Sequence, residues 1–351
     1  MTAECALVIR TPSELIAALP YLLGYHPADN VAIVGLTGSR VDFGACYDLP
    51  PPDCDEADAR AVATIIAETV ARQEAASVVI VGFGPAHRVT PAVLRLTRAL
   101  TTASVRVDDA MRVTNNRWWS YLCDDPRCCS LDGTPCLPED SVIAAEATFR
   151  GHVALPSRRD LVAQVAPVDG PERAAMAAAT ERARRRFTDL LADDSLPDDR
   201  DTGRYGRLIR RAGRTAVRDA ERRYRAGRTL TDDEVAWLGA LLADKAVEDY
   251  ALDRADPDEW RIRLWTDVLR RVEPAYVPAP ACLLSFTAWR SGRGALARVA
   301  VDRALRQEPQ HQLATLLHSL LGIGISPQMA VPSLRPRNGG GPLRGFRRRT
   351  K

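Results

Sequence analysis

The sequence predicts an α/β domain followed by an all-helical domain. In residues 1–150, apolar runs typical of strands alternate with helical patterns, whereas after about residue 150 only helical periodicity continues. The chain of 351 residues exceeds the usual domain size of about 100 to 200 residues, and 46% of its residues are hydrophobic. We therefore expect a mixed sheet with helices on both faces over 1–150, a helical domain over 151–330, and a disordered basic tail over 331–351.

The first domain is predicted to begin with a helix and two strands. The capping signal Thr11-Pro12-Ser13-Glu14 starts the helix, and Gly24 ends it. VAIVGL at 31–36 is an unbroken apolar run with branched side chains, which is typical of a central strand covered on both faces. VDFGACYDLP at 41–50 is interpreted as a more exposed strand.

A helix, a second central strand and another helix are expected next. Residues 56–74 form an alanine-rich helical pattern, and VVIVGF at 78–83 repeats the buried-strand pattern. Thr90-Pro91 predicts the start of the following helix.

The end of this domain is predicted to be a hairpin. SVRV and MRVT are expected to form two short strands, and RWWSYL another strand. Between MRVT and RWWSYL, Asn115 and Asn116 can adopt the left-handed backbone angles of a two-residue turn.

The second domain is predicted from helical periodicity alone. Helices are expected over about 171–193, 203–226, 231–252 and 257–272, and the acidic segment DDSLPDDRD separates the first two. VEPAYVPAPA is interpreted as a linker. After it come the helix pair CLLSFTAWRSG and GALARVAVDRALRQEP and a third helix that ends at Gly322 and Gly324. The second helix of the pair follows tetratricopeptide spacing at Ala297, Val301, Ala304 and Pro309, so we expect a helical hairpin of that type.

Charge is unevenly distributed along the chain. The tail from Arg335 onward carries seven basic residues and no acidic one, which leaves 41 basic and 45 acidic residues in residues 1–334. The body is thus mildly acidic, with no general electrostatic reason to bind nucleic acid, while the tail is expected to bind polyanions weakly and nonspecifically.

A cytoplasmic protein without a membrane partner is expected. No apolar segment approaches the roughly 20 residues that span a bilayer, and the opening MTAECALVIRTPSEL lacks a signal-peptide pattern. In the cytoplasm cysteines stay reduced, so we expect free, metal-bound or transiently redox-active thiols. The near-absence of lysine beside abundant arginine is typical of a GC-rich genome.

Four of the eight cysteines lie in RWWSYLCDDPRCCSLDGTPC at 117–136. Cys123, Cys128, Cys129 and Cys136 can form a zinc site, although the adjacent pair cannot easily point the same way and the second spacing is long for a zinc knuckle. Arg127 can lower a neighbouring thiol pKa and favour redox or nucleophilic sulfur. A packed loop is the third alternative, because free cysteine is often buried.

Gly82 and Gly84 mark the exit of the second central strand, where open α/β sheets bind ligands. The third glycine of a dinucleotide fingerprint is replaced by His87, and Pro85 removes an amide that a phosphate would use. The preferred interpretation is that these glycines permit a tight strand exit.

A polar set is expected at the same edge of the sheet, and it forms the candidate ligand-binding site. His with Asp is a pair suited to acid/base or metal chemistry, but the same residues also serve ordinary turns. The set consists of His26, Asp29, Asp48, His87 and Arg117, together with Gly82 and Gly84.

The helix expected over 203–226 has a cationic face. At 100° per residue, six arginines cluster on one side, opposite an apolar side. The arginines are Arg207, Arg211, Arg214, Arg218, Arg222 and Arg225, and the apolar side is Tyr205, Leu208, Ile209, Ala212, Ala216, Ala220 and Tyr224. An acidic partner, RNA or a phosphate-rich ligand can dock there, but intramolecular pairing with the acids of DDSLPDDRD and TDDE is preferred.

Several landmarks in order give the chain a family resemblance over about residues 5–328. It resembles the actinobacterial family called domain of unknown function 4192, and the resemblance implies no activity, substrate or cofactor. In that family pattern a proline commonly follows the cysteine pair and a fourth cysteine is absent, whereas here Ser130 follows the pair and Cys136 is extra. The landmarks are LGYHPADNVAIVGL, DLP at 48–50, RWWSYLCDDPRCC with the following GTP, LWTDVLRR, and AWRSGRGALARVAVDRALRQEP.

The sequence therefore favours a ligand-binding or protein-interaction module with a protein or small-molecule partner. The alternative is a hydrolase or a thiol- or metal-dependent enzyme with its site at the sheet edge. No serine nucleophile motif, metal-binding His pair or phosphate loop is recognisable in the sequence, which favours the binding module.

Overall fold

The fold is taken from a computed structural model. It describes residues 9–38, 40–73, 75–125, 127–138, 141–149, 153–192, 203–325 and 327, with only the backbone at 203 and 204. The predicted basic tail at 331–351 and the acidic segment DDSLPDDRD lie outside these residues.

The N-terminal part contains a mixed six-stranded sheet in the order β2-β1-β3-β4-β5-β6. The pair β3–β4 is parallel, and the other neighbouring strands are antiparallel. The elements are α1 (Pro12–Leu23), β1 (Asn30–Thr37), β2 (Arg40–Asp48), α2 (Glu56–Ala71), β3 (Ser77–Phe83), α3 (Ala86–Thr102), β4 (Val107–Thr114), β5 (Arg117–Ser120), β6 (Thr134–Pro135) and α4 (Val142–Phe149).

Strands β1 and β3 are covered on both faces, as predicted. Successive side chains of a strand point to opposite faces. Accordingly, Val31 and Ile33 pack in a cluster with α2 and α3, whereas Ala32 and Val34 pack in the cluster that contains α1. The predicted exposed strand is β2, which lies at the edge of the sheet.

Local signals place the first helix and the hairpin turn correctly. Thr11 caps α1 in a capping box with Glu14, and Gly24 ends the helix in the left-handed conformation. Asn115 and Asn116 have φ angles of 49° and 57° and join β4 to β5.

Two predictions for the N-terminal part are wrong. SVRV and MRVT do not form two strands, because Val107–Thr114 is one continuous strand through Asp108 and Asp109. Helix α3 starts at Ala86 and not at Thr90, so Pro91 lies inside the helix. Pro91 is the sixth residue of α3, so it leaves the carbonyl of His87 without an intrahelical donor.

The C-terminal part is helical, as predicted from its periodicity. It comprises α5 (Arg158–Gln164), α6 (Gly170–Ala192), α7 (Gly203–Arg225), α8 (Asp232–Leu242), α9 (Lys245–Leu252), α10 (Glu259–Arg271), a 3₁₀ turn (Pro274–Tyr276), α11 (Pro278–Arg290), α12 (Gly294–Gln307) and α13 (Gln312–Gly322).

Two boundaries in this part differ from the prediction. The helix expected over 231–252 is two helices, because Asp244 caps a new helix with its side chain on the amides of Ala246 and Val247. The second half of the expected linker is the first turn of α11, since Pro278 and Pro280 lie where helical amides have no intrahelical acceptor.

A single cluster of buried apolar residues runs through both parts of the chain. It includes Leu19 of α1, Val34 of β1, Leu161 of α5, Trp265 of α10 and Leu284 of α11. The division into domains at about residue 150 stays a prediction. Across the described part of the chain, no helix has the length and apolar character needed to cross a bilayer.

We predict that Gly82→Ala lowers the free energy of unfolding by about 1–3 kcal/mol. An added Cβ would overlap Val89 and lie 2.9 Å from Val93 Cγ2, so β3 could not keep its distance from α3. Urea unfolding measures the change. Gly44→Ala in β2 is the matched control, because nothing lies within 4 Å of its added Cβ. Equal stability of Gly82→Ala and the unmodified chain would refute the packing role.

Candidate functional site

The register of the sheet places much of the predicted polar set at one edge. Asn30 at the start of β1 pairs with Asp48 on one side and with Phe83 on the other. The parallel pairing of β3 with β4 and the following hairpin bring Arg117 to the same end. The predicted residues at this edge are Asp29, Asp48, Gly82, Gly84 and Arg117.

The charged members of this set already have structural partners. Asp48 Oδ1 accepts a hydrogen bond from Asn30 Nδ2 at 2.7 Å, and Asp29 lies 3.6 Å from the guanidinium of Arg88. Arg117 donates to two backbone carbonyls of the loop before β6, at 2.7 and 2.9 Å. These contacts are those of ordinary turns, which was the structural alternative for this set.

The two histidines do not join the acids. Within the described residues, neither imidazole forms a hydrogen bond or ion pair with Asp29 or Asp48. His26 is tied down through its backbone amide, which donates to Leu155 O at 2.8 Å, and His87 is exposed in the first turn of α3. The geometry therefore offers no His–Asp pair at this edge.

Gly84 permits the tight exit from β3 that the sequence predicted. Its φ of 137° lies in a region that favours glycine, and an added Cβ would lie 3.0 Å from Asp29 Oδ1. Pro85 follows as the N-cap of α3 and makes no side-chain capping bond.

Three of the four predicted cysteine ligands meet. One sulfur atom from each of Cys123, Cys128 and Cys129 lies within 4.8 Å of the other two, and we call this group the cysteine trio. The amides of Cys128 and Cys129 both donate to the Asp125 carbonyl, at 3.0 and 2.7 Å. This turn lets two adjacent cysteines face the same third sulfur, contrary to the expectation from their adjacency.

Cys136 is outside the cysteine trio. Its amide donates to Asn116 O at 2.9 Å beside β6, its side chain packs against the apolar core, and burial raises the pKa of its thiol. A site with all four predicted cysteines as ligands is therefore not assembled.

The thiols of the cysteine trio are electrostatically unequal. The backbone amide of Asp125, followed by the Cys129 thiol, lowers the pKa of Cys123. Burial and the two neighbouring sulfurs raise the pKa of Cys129 to about 12. Arg127, which was expected to lower a thiol pKa, instead pairs with Asp125 at 3.1 Å. Cys123 is thus favoured as the thiolate, whereas Cys129 is favoured as the protonated thiol.

The cationic face of α7 is present. All six predicted arginines are exposed, and Ala220 and Tyr224 on the opposite side are buried. The sequence predicts Tyr205 on the apolar side, but this residue is 50% exposed. It lies in the first turn of the helix, and the buried positions of α7 begin further along the chain.

Among the acids expected to neutralise this face, those that the structure describes are engaged elsewhere. The three acids of the TDDE segment form ion pairs with arginines that do not belong to the six of the cationic face. The acids of DDSLPDDRD lie outside the described residues. The TDDE pairs are Asp232 with Arg271, Asp233 with Arg182, and Glu234 with Arg223.

A cleft of about 710 Å³ opens on the cationic face, and we call it the arginine cleft. Within the described part of the chain, Arg218 and Arg225 form no ion pair. Both acids of the cleft are paired, Asp219 with Arg222 and Glu221 with Arg254 and Arg261. The cleft is lined by Thr215, Arg218, Asp219, Glu221, Arg222, Arg225, Ala226 and Arg254.

A buried carboxylate holds the floor of the arginine cleft. Glu221 is 7% exposed, and it accepts a hydrogen bond from Arg254 Nε at 2.9 Å and lies 3.5 Å from Arg261. Because breaking a buried ion pair is costly, this network fixes the position of Arg254. The hydrogen bond to Glu221 also raises the pKa of Arg254.

Sequence reasoning missed a second group of ligand-type side chains. Glu248 of α9, Cys282 of α11 and His311, the N-cap of α13, offer ligand atoms within 4.8 Å of one another, and we call them the buried trio. The three residues come from different elements and follow no motif spacing. Only the burial of a carboxylate in an apolar helix pattern could have drawn attention to them.

Comparisons with known proteins identify one family. A family model described as domain of unknown function (DUF4192) matches residues 12–328. No curated protein and no solved structure matches the chain significantly.

We predict that Asn30→Ala lowers the free energy of unfolding by about 1–3 kcal/mol. Asn30 is only 5% exposed, and its side-chain amide donates a hydrogen bond to Asp48 and accepts one from the backbone N–H of Ala28. Denaturant unfolding gives the value. His87→Ala, in the exposed first turn of α3, should change stability by less than about 0.5 kcal/mol. If Asn30→Ala were as mild as the control, this edge would not depend on the Asn30–Asp48 contact.

Proposed function

We propose that this chain, which belongs to the DUF4192 family, binds a ligand carrying several phosphate groups in the arginine cleft. The family description supplies no activity, so the proposal rests on geometry. The observation that carries it is a cleft in which both acids are paired while Arg218 and Arg225 have no carboxylate partner among the described residues.

The charge of the arginine cleft suits phosphate. Four guanidinium groups and two carboxylates line it, so the lining carries a net charge of plus two. Guanidinium groups bind phosphate oxygens through charge-assisted, often bidentate hydrogen bonds. An anionic ligand would therefore gain partners at Arg218 and Arg225 without breaking an existing ion pair.

The cleft favours a compact ligand over single-stranded nucleic acid. Its volume lies within the range of about 300–1,000 Å³ of small-molecule sites. Nearby aromatic rings are already covered by guanidinium groups, Tyr250 by Arg214 and Arg254, and Trp260 by Arg225 and Arg261. A base would have to displace a guanidinium in order to stack on either ring.

A second candidate function is metal binding by the cysteine trio. The observation that favours it is the approach of three sulfur atoms, since zinc accepts three protein ligands and a water molecule. Redox or nucleophilic use of Cys123 is the alternative, supported by its lowered thiol pKa.

The other expectations from the sequence stay proposals. A cytoplasmic location is supported by seven described cysteines that are all free thiols, and an actinobacterial origin by the sequence resemblance. The tetratricopeptide-like character of the α11–α12 hairpin rests on residue spacing. Nonspecific polyanion binding by the tail rests on its charge. The enzyme alternative at the sheet edge has no specific support from the contacts found there.

We predict that the full chain binds inorganic tripolyphosphate and that Arg218→Glu and Arg225→Glu each weaken binding about 10-fold, because each reversal removes a cation and adds a repelling charge. Isothermal titration calorimetry measures the affinity. Binding should weaken further when ionic strength rises from about 0.05 to about 0.3 M.

The matched control is Arg98→Glu, the same charge change on an exposed position of α3. The basic tail is identical in all variants, so it cannot produce a difference between them. Absence of tripolyphosphate binding, or an equal loss in Arg98→Glu, would contradict the proposal. Binding of single-stranded RNA in place of tripolyphosphate would redirect it to nucleic acid, and binding of a nucleoside triphosphate alone would require a contribution from the base.

We predict that Cys129→Ser lowers the zinc content of the purified chain by about one equivalent, whereas Cys136→Ser leaves it unchanged. The reason is that the Cys136 sulfur does not belong to the cysteine trio. Elemental analysis by inductively coupled plasma mass spectrometry gives the content. The same zinc content in both variants and in the unmodified chain would exclude a zinc site at the cysteine trio.

A further inference from the structure

The buried trio brings three different ligand chemistries to one place. Glu248 supplies a carboxylate, Cys282 a thiol and His311 an imidazole, from α9, α11 and the start of α13. Glu248 Oε1 lies 3.6 Å from His311 Nε2, and Cys282 Sγ lies 3.7 Å from His311 Nδ1. The imidazole therefore stands between the carboxylate and the sulfur.

The carboxylate of Glu248 lacks a hydrogen-bond partner on one oxygen. Its side chain is 3% exposed, and Oε1 is buried without a hydrogen-bond donor. A buried, unpartnered carboxylate oxygen is costly, and such orphan groups are rare in folded proteins. The 3.6 Å gap to His311 Nε2 is too long for a hydrogen bond.

The gap between Glu248 and His311 matches the spacing of ligands around a metal ion. Zinc binds carboxylate oxygen and imidazole nitrogen at about 2.0–2.2 Å and thiolate at about 2.3 Å, so neighbouring ligand atoms lie roughly 3.3–3.7 Å apart. The 3.6 Å contact between Glu248 Oε1 and His311 Nε2 has this spacing, whereas the 3.7 Å contact of Cys282 Sγ is made to the other ring nitrogen, Nδ1. All three ligand atoms already lie within 4.8 Å, so a closure of about 1 Å completes the set.

The charges around the buried trio are compatible with a bound cation. Burial has the largest effect on these groups, raising the pKa of Glu248 and Cys282 and lowering the pKa of His311, and the negative charge of Glu308 acts on all three in the direction that raises the pKa. The positive charge of Lys245 opposes this effect, since Lys245 Nζ lies 3.7 Å from Glu248 Oε2. However, the Lys245 side chain is 60% exposed and also pairs with Asp249. This lysine can turn toward solvent when a metal ion binds.

We propose that Glu248, Cys282 and His311 form a binding site for one divalent cation of the zinc class. Burial raises the pKa of Glu248 to about 7 and that of Cys282 well above its ordinary value, so the cation displaces protons as it binds. The three protein ligands leave the fourth tetrahedral position to a water molecule. The bound ion links α9, α11 and α13.

Cobalt(II) tests the proposal, because thiolate coordination gives this ion a charge-transfer absorption that oxygen and nitrogen ligands alone do not. The full chain with Cys128→Ser and Cys129→Ser serves as the parent protein, so that the cysteine trio contributes no signal. After removal of bound metal with a chelator, about one equivalent of cobalt should produce the thiolate band.

Replacing Cys282 by serine in this parent should abolish the band, whereas Cys46→Ser, which removes a partly buried thiol elsewhere, should retain it. Glu248→Gln should weaken cobalt binding about 10- to 100-fold. His311→Asn should do the same while keeping an N-cap side chain for α13.

A parent protein without a thiolate band overturns the proposal, as does a band that survives Cys282→Ser. If Cys282→Ser fails to fold, as judged by circular dichroism, the other two variants decide. Unchanged cobalt affinity in both Glu248→Gln and His311→Asn then overturns it. The outcome is independent of the arginine cleft, which contains none of these residues.

Discussion

The helical part of the chain depends on the complete burial of α11. Every residue of this helix from Pro278 to Trp289 is buried. A helix that is apolar all round must be covered on every side, and α8, α9, α10, α12 and α13 all contact it. This packing brings Glu248 of α9 and His311 of α13 to Cys282 of α11. The buried trio is therefore a consequence of the most apolar element of the chain.

Sequence reasoning succeeded where neighbouring residues decide the conformation. Thr11 with Glu14 fixes the start of α1, and Asn115 with Asn116 fixes the hairpin turn, through contacts within a few residues. It failed where packing against other elements decides the conformation. The segment around Pro278 looks like a linker, but burial against the surrounding helices makes it the first turn of α11. The break between α8 and α9 is an exception, because the prediction missed it although it depends on a local cap, in which the Asp244 side chain accepts from the amides of Ala246 and Val247.

The candidate sites show the same division. The cysteine trio was visible in part because its members lie close in the chain, yet only the turn at Asp125 shows which sulfurs meet. The cationic face of α7 was visible from its periodicity, but periodicity does not say which acids pair with which arginines. The buried trio could not be predicted, because its members belong to elements that only the packing around α11 brings together.

The net charge of the body is a poor guide to the arginine cleft. Residues 1–334 carry four more acidic than basic residues, yet acids near the cleft are bound in local pairs. Glu221 is the important case, because it is buried beneath Arg254 and Arg261 and these two arginines balance its negative charge. The same ion pairs fix the floor of the cleft. Arg218 and Arg225 have no carboxylate partner among the described residues, so their charges are available to a ligand. The fixed floor lowers the ordering cost of binding an anion, and the arginines of the cleft keep the attraction local, which explains how a mildly acidic body can carry the proposed phosphate site.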